Sequence, residues 1–346
     1  MNQRNGAGIM KKRSIRSLSV SEIGMGCMGF SHGYGEIPSE EYSIEAIRKA
    51  YDYGCTFYDT AEAYSTNLSG IGHNELILGK ALKDVRKNVI LATKITLKTD
   101  EVAEHDLDSV MTSHLKASLE RLQTDYADLY YLHRLNTDIP IEDVAGAMGR
   151  LISKGLIREW GMSQVAVETI AKAQAVTPVG AIQNIYSMVE RSCEEDVIPY
   201  CLDNGISLVP FSPIASGFLS GKVTADTDFS HADDVRKFVP QLSSENIRAN
   251  QPLLDLIAKF ASEKQATMAQ MSLAWMLRKY PNVIPIPGSK NQERILENLG
   301  ASAVELNDAE FSSLDGALNA IPVHGFRGHD EILGGAMKDW GKRRKF

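Results

Sequence analysis

Cysteine is scarce: the 346 residues hold four, Cys27, Cys55, Cys193 and Cys201, and no pair has C-x-x-C spacing. That excludes a zinc ribbon and a thioredoxin-type motif, and so few thiols in a long chain point to a reducing, cytoplasmic compartment. No apolar run approaches the roughly 18 residues that a membrane-spanning helix needs. The basic residues up to Lys12 are followed by no apolar stretch of the kind a secretory signal requires. An excess of positive charge is also missing, since 37 Lys and Arg stand against 44 Asp and Glu, a net charge of −7. Nucleic-acid binders present a basic face and membrane-surface proteins a polybasic segment, so neither a nucleic acid nor a membrane is expected as a partner. The eight histidines include no H-x-x-x-H pair, and no metal site is read.

What is present is ordinary globular material, 43% hydrophobic and 23% charged, enough to bury a sizeable core. Short β-type runs alternate with amphipathic stretches. The runs lie at 22–25, 56–59, 89–94, 127–133, 157–163, 181–186, 207–211 and 283–287. Several are almost wholly apolar, as in Asp128-Leu-Tyr-Tyr-Leu132, which suits strands covered on both faces. Helical patterns occupy 39–53, 74–85, 106–122, 141–153, 165–175, 194–203 and 268–278; Ala46, Ile47, Ala50 and Tyr51 form one apolar face. Gly54, Gly155 and Gly205 each stand where a helix should stop.

This alternation predicts a single-domain α/β fold, a (β/α)8 TIM barrel, which takes about 250 residues. The surplus is assigned to an N-terminal β-hairpin at 11–20, a Pro- and Asp-containing segment at 223–245 and the chain after Gly300. Residues 1–10 read as a disordered arm, 11–322 as the barrel, and 323–346 as a C-terminal extension that closes over the pocket or touches a neighbouring subunit. A doubly wound open sheet is the competing fold. Gly24-Met-Gly-Cys-Met-Gly29 matches the dinucleotide pattern G-x-G-x-x-G, but it leads into Phe30-Ser-His-Gly-Tyr-Gly-Glu-Ile-Pro38. A helix is plausible only from Ser39, so the glycines belong to a loop.

Reactive groups of such a barrel sit at the C-terminal ends of its strands. The second strand ends in Asp59, with Tyr64 just beyond; the third ends in Lys94 and the fourth in His133. This set suits proton transfer to a carbonyl oxygen. A buried Lys94 ammonium is expected to lower the pKa of Tyr64, and Asp59 to keep the ammonium charged and oriented. A neutral His133 would donate to the same oxygen, while Tyr64 acts as acid in one direction and base in the other.

Gly24-Met-Gly-Cys-Met-Gly-Phe-Ser31, Phe57-Tyr-Asp-Thr-Ala-Glu-Ala-Tyr64, Gly72-His-Asn-Glu75, Leu91-Ala-Thr-Lys94, Leu129-Tyr-Tyr-Leu-His133 and Pro285-Ile-Pro-Gly-Ser-Lys290 occur in this order. Together they resemble the aldo-keto reductase superfamily from about Ile15 to Leu306, in particular its bacterial, plant and fungal reductases with a C-M-G first loop. The resemblance implies a barrel that binds NADP(H) without a dinucleotide fold, a catalytic tetrad of Asp59, Tyr64, Lys94 and His133, and a small carbonyl substrate held by Tyr64 and His133. It implies carboxamide contacts from Ser163 and Gln183 and ring stacking by Phe211, with Cys27, Met28, Asp59 and Gln164 in the same neighbourhood. The small residues of 212–222, among them Ser212, Pro213, Ile214, Ser216 and Gly217, let backbone N–H groups approach a pyrophosphate; Leu219 and Lys222 continue that strap. Gly288, Ser289, Lys290 and Arg294 open a helix suited to a 2′-phosphate, which predicts NADPH over NADH. Glu297 and Asn298 match positions at the adenine. The alternative is a cofactor-bound redox sensor or channel-regulatory subunit with little turnover, related to potassium-channel β subunits; those commonly lack the tetrad histidine that this chain keeps. A homo-oligomer is compatible with the sequence.

Overall fold

The structure, a computed structural model, describes residues 10–65 and 70–328. It opens with an antiparallel hairpin, β1 (Lys12–Ile15) and β2 (Leu18–Ser21), turning at Arg16 and Ser17. Seven parallel strands follow: β3 (Met25–Gly26), β4 (Phe57–Asp59), β5 (Ile90–Ile95), β6 (Ala127–Leu132), β7 (Ile157–Ser163), β8 (Ala181–Gln183) and β9 (Ser207–Leu208), each paired with the next. Every residue of β5 and β6 is buried, as strands sandwiched between helices and barrel interior must be.

The ring closes through residues 283–288. Val283 bridges Leu208 and Gly288 bridges Gly26, while the Ile284 amide donates to the Leu208 carbonyl at 2.8 Å and the Gly24 amide to the Pro285 carbonyl at 2.9 Å. Pro285 and Pro287 have no N–H to give, so the eighth expected strand makes isolated bridges rather than a ladder. At the seam a Cβ on Gly26 would lie 2.8 Å from the Ile286 carbonyl oxygen, which reserves the position for glycine. Closure rules out the open-sheet alternative.

Alternate strand residues face the interior. Phe57, Ile90, Leu129, Val209, Ile284 and Ile286 pack there on Ile15, Leu18 and Val20 of the hairpin. The hairpin therefore plugs the end where the strands begin. Ser14, Ser17 and Ser21 tie it to Ser207, Glu159 and Thr56 at strand starts. Helices cover the outside: Ala46, Ile47 and Ala50 of Glu40–Tyr53 pack with Ile77 and Leu78 of His73–Leu82 on Tyr58 and Leu91. Gly54, Gly155 and Gly205 follow helices with φ of 114°, 71° and 63°, the left-handed region where a Cβ is disfavoured.

The seven expected helices are present within one to three residues at each end. Four more lie where the sequence pattern assigns no helix: Thr99–Glu104, Ser244–Ala249, Gln251–Glu263 and Asp308–Ala320. The chain from Gly300 to Ala320 is thus part of the barrel's outer layer. Asp308–Ala320 starts on an Asn307/Glu310 capping box, and its Asp315 accepts from the Trp275 indole at 2.9 Å. Residues 323–328 then run back toward the open end of the barrel: Asn250 pairs with His324, and Arg327 Nη2 donates to Ser212 Oγ at 2.7 Å. The disordered arm expected at 1–10 fails at its last residue, since Met10 is buried and packs in the core with Ile23 and Met25; residues 1–9, the tip of the Tyr64–Ile71 loop, and 329–346 with Trp340 lie outside the described residues. Among the described residues, no helix is long and apolar enough to cross a membrane.

Candidate active site

Four strand ends deliver their side chains to one mouth. Asp59 closes β4, and Lys94 sits in β5 with its Nζ fully buried. That ammonium donates to Asp59 Oδ1 at 2.5 Å, to the Thr60 carbonyl at 2.6 Å and to Tyr64 Oη at 3.2 Å. All three ammonium hydrogens are used, so the group is aimed as well as neutralised. Gln183, at the end of β8, donates from Nε2 to Asp59 Oδ2 at 2.8 Å and fixes the carboxylate from the far side of the barrel. His133, the residue after β6, stands edge-on to the Tyr64 ring, with centroids 5.6 Å apart and planes at 80°.

Tyr64 leaves the sheet on a short loop, and Gly72-His-Asn-Glu75 ties that loop down. Asn74 donates from its amide nitrogen to the Cys27 carbonyl at 2.9 Å and to Ser31 Oγ at 2.8 Å, and accepts from Thr60 Oγ1 at 2.6 Å. Glu75 is buried between Thr93 Oγ1 and Arg121 Nε. Gly72 has φ +80° and faces Arg121, whose Nε would lie 2.1 Å from a Cβ there. The motif's work is therefore to hold the tyrosine loop on the strands.

Burial sets the proton affinities. It raises the Tyr64 phenol above its ordinary value; Lys94 pulls the other way but does not win. This corrects the expectation of a lowered Tyr64, because the sequence alone gave no measure of desolvation. Burial also pulls Lys94 down, but Asp59 and Tyr64 more than offset it and the ammonium stays charged. The Asp59 carboxyl is raised by burial, with Lys94 opposing. His133 is held well below its ordinary value by burial and by the nearby Arg134 and Lys94 charges, hence neutral near pH 7.

Asp59, Tyr64 and His133 face a cleft of about 340 Å³, lined also by Met28, Ser163, Phe211 and Gly288, while Lys94 is buried beneath Asp59 and Tyr64. It runs past Ser212 and Tyr34 into a second groove of about 320 Å³. Pro213, Ile214, Ser216 and Gly217 form one wall of that groove. Lys222, Ser289, Lys290, Arg294, Glu297 and Asn298 form the other. Three residues expected at the cofactor, Cys27, Gln164 and Leu219, are buried behind the walls. Cys27 is packed in the core beside Ile23 and Met25, Gln164 accepts from the Ile185 amide at 2.9 Å, and Leu219 packs in the main core.

The second groove fits a phosphate-bearing cofactor on its own chemistry. Ser216 Oγ is buried without a hydrogen-bond partner among the described residues. Ser212, Ala215, Ser216 and Gly217 have φ of 53°, 48°, 55° and 94°, a run of left-handed backbone that shapes a concave strap. Lys290 Nζ donates to the Tyr34 and Glu36 carbonyls, pinning the 31–36 loop over the groove. Arg236, in the inserted segment, is held by Asp234 and lies over the Tyr34 ring.

Two arginines of the cleft escaped the sequence argument. Arg134 directly follows the strand-end histidine, a positional signal within reach. Arg327 arrives from the tail, which the sequence placed over the pocket or at a neighbouring subunit without singling out this residue.

Asp59, Tyr64, Lys94 and His133 thus meet at the open end of a closed α/β barrel, beside a groove lined by Ser216, Lys290 and Arg294. The family model for the aldo/keto reductase family matches residues 22–319, and the chain belongs to that family. A probable aldo-keto reductase of Glycine max is 33% identical over 316 residues, covering 90% of this chain and 88% of its own. The NADP(+) aldo-keto reductase yakc of Schizosaccharomyces pombe is 36% identical over 324 residues, covering 91% and 93%. Among solved structures, a Klebsiella pneumoniae aldo-keto reductase in complex with NADPH superposes with a TM-score of 0.68 at 27% identity, covering 92% of this chain and 99% of that one. A glycerol dehydrogenase from Gluconobacter oxydans, at 24% identity and a TM-score of 0.79 over 91% and 97%, shares the fold.

Proposed function

We propose that the protein reduces an aldehyde or ketone to its alcohol with NADPH, and runs the reverse reaction with NADP+. The observation that carries this reading is the single Lys94 ammonium bonded at once to Asp59 and to the Tyr64 hydroxyl. The NADP(+) relative from Schizosaccharomyces pombe and the NADPH-bound Klebsiella pneumoniae structure support the cofactor.

When bound, the dihydronicotinamide supplies the hydride. The chain's own residues do the rest. Ser163, Gln183 and Phe211 line the cleft where the nicotinamide would be oriented; Lys290, Arg294 and Ser216 would hold the phosphates. Neutral His133 donates a hydrogen bond to the substrate carbonyl oxygen and positions it against Tyr64. Tyr64 gives up its hydroxyl proton to that oxygen as it gains charge. Lys94 stabilises the tyrosinate left behind, at the moment when its own contact with Tyr64 strengthens.

The defining test is loss of NADPH absorbance with 4-nitrobenzaldehyde; no consumption with any of a panel of aldehydes, ketones and sugars would sink the reading. Arg294→Ala is expected to raise KM for NADPH about tenfold while leaving KM for NADH in place, because only the former carries the 2′-phosphate. Equal kcat/KM for the two cofactors in the wild type would remove the preference.

The raised Tyr64 value fixes the sign of the pH dependence. Reduction needs the protonated phenol, so its kcat/KM is expected to hold level through neutral pH and to fall only above about 10. Oxidation needs the tyrosinate and should climb about tenfold per pH unit over the same range. A reduction rate already falling at pH 8 would contradict the burial argument.

A further inference from the structure

The cleft holds more positive charge than the tetrad requires. Lys94 is neutralised by Asp59, the one acidic side chain among the cleft's lining residues. That leaves Arg134 and Arg327. Arg134 spends Nη1 on the His133 carbonyl and Ser163 Oγ, and stands 5.9 Å from the Phe211 ring. Arg327 is 6% exposed; its Nη2 donates to Ser212 Oγ at 2.7 Å, and the Tyr34 hydroxyl also lies close enough to act on the guanidinium. Its Nε is buried with no hydrogen-bond partner among the described residues. Among the described residues, neither guanidinium has a carboxylate within salt-bridge distance. The field of Glu190 reaches Arg327, but that carboxylate accepts from Ser192 Oγ.

A buried guanidinium with an idle N–H is costly unless an anion completes it. Arg327 lines the catalytic cleft with Tyr64 and His133 and is absent from the lining of the phosphate groove. We infer that Arg327, with Arg134 lining the same cleft, forms an anion subsite for the substrate, so that the preferred carbonyl compound carries a carboxylate. This rests on the carbonyl-reductase reading and narrows it. The planar fork of Arg327 would take the carboxylate in two parallel hydrogen bonds, one from the idle Nε, while the carbonyl group lies toward Tyr64.

The test compares 4-carboxybenzaldehyde with its methyl ester, two aldehydes that differ at the far end by one charge. Wild-type protein is expected to favour the acid by at least tenfold in kcat/KM, mainly through KM, with the preference shrinking at high salt. Arg327→Gln should cut the acid-to-ester ratio about tenfold or more, and Arg327→Lys should restore part of it. The ratio cancels any effect of the substitution on chemistry common to both aldehydes. Independently, benzoate should bind NADP+-loaded protein in calorimetry, and Arg327→Gln should weaken it to a similar degree.

A wild type that treats acid and ester alike overturns the subsite. So does a variant that weakens NADPH binding while keeping the ratio, since the anion would then be the cofactor's pyrophosphate. If no aldehyde turns over but benzoate binding still depends on Arg327, the subsite stands and the reductase reading falls.

Discussion

Tyr64→Phe is expected to lower kcat for 4-nitrobenzaldehyde by about 10²- to 10⁴-fold, the range that a positioned acid contributes. The substitution removes one oxygen and little else. The ring's edge contact with His133 and its place 4.8 Å from the Lys94 ammonium do not need the hydroxyl. NADPH affinity, read by fluorescence titration, should therefore be retained, because the phosphate groove is remote from the change. Near-wild-type turnover in this variant would take the proton donor away from Tyr64. A parallel loss of NADPH affinity would mean that the residue shapes the cofactor site instead.

The second large effect falls on stability. Asp59→Asn keeps the shape that Gln183 holds but leaves the Lys94 ammonium buried, facing only the Thr60 carbonyl and the Tyr64 hydroxyl. Removing one partner of a buried pair costs about 3–5 kcal/mol, to be read by urea unfolding at pH 7. Adding Lys94→Met to Asp59→Asn should recover part of the loss, since an apolar side chain has no charge to strand. The sign with pH is fixed by Lys94, whose folded-state value is raised above the ordinary 10.5. In the wild type its contribution is complete below that value and fades as the pH climbs through the raised one. In Asp59→Asn the ammonium sheds its proton more readily, so the deficit should narrow from pH 7 toward pH 10. A constant deficit would show that the loss comes from packing rather than charge.

Much of this was legible in the residue order, for identifiable reasons. Wholly apolar runs such as Asp128-Leu-Tyr-Tyr-Leu132 mark strands covered twice, and a barrel turns every such run's end into a potential site. Asp59, Lys94 and His133 could thus be read as one cluster before any coordinates. Three things could not. Desolvation depends on the whole fold, so the direction of the Tyr64 shift was out of reach. The role of Gln183 against Asp59 joins residues 124 positions apart across the barrel. Arg327 reaches the cleft through a chain path that no periodicity announces.

The hairpin plug has a practical corollary. With Ile15, Leu18 and Val20 sealing one pole, everything that enters or leaves passes the opposite pole, where the chain from His324 to Arg327 also arrives. A bead or electrode coupled ahead of Met10 would thus present the working opening to the medium, whereas a linker attached beyond residue 328 starts beside that opening.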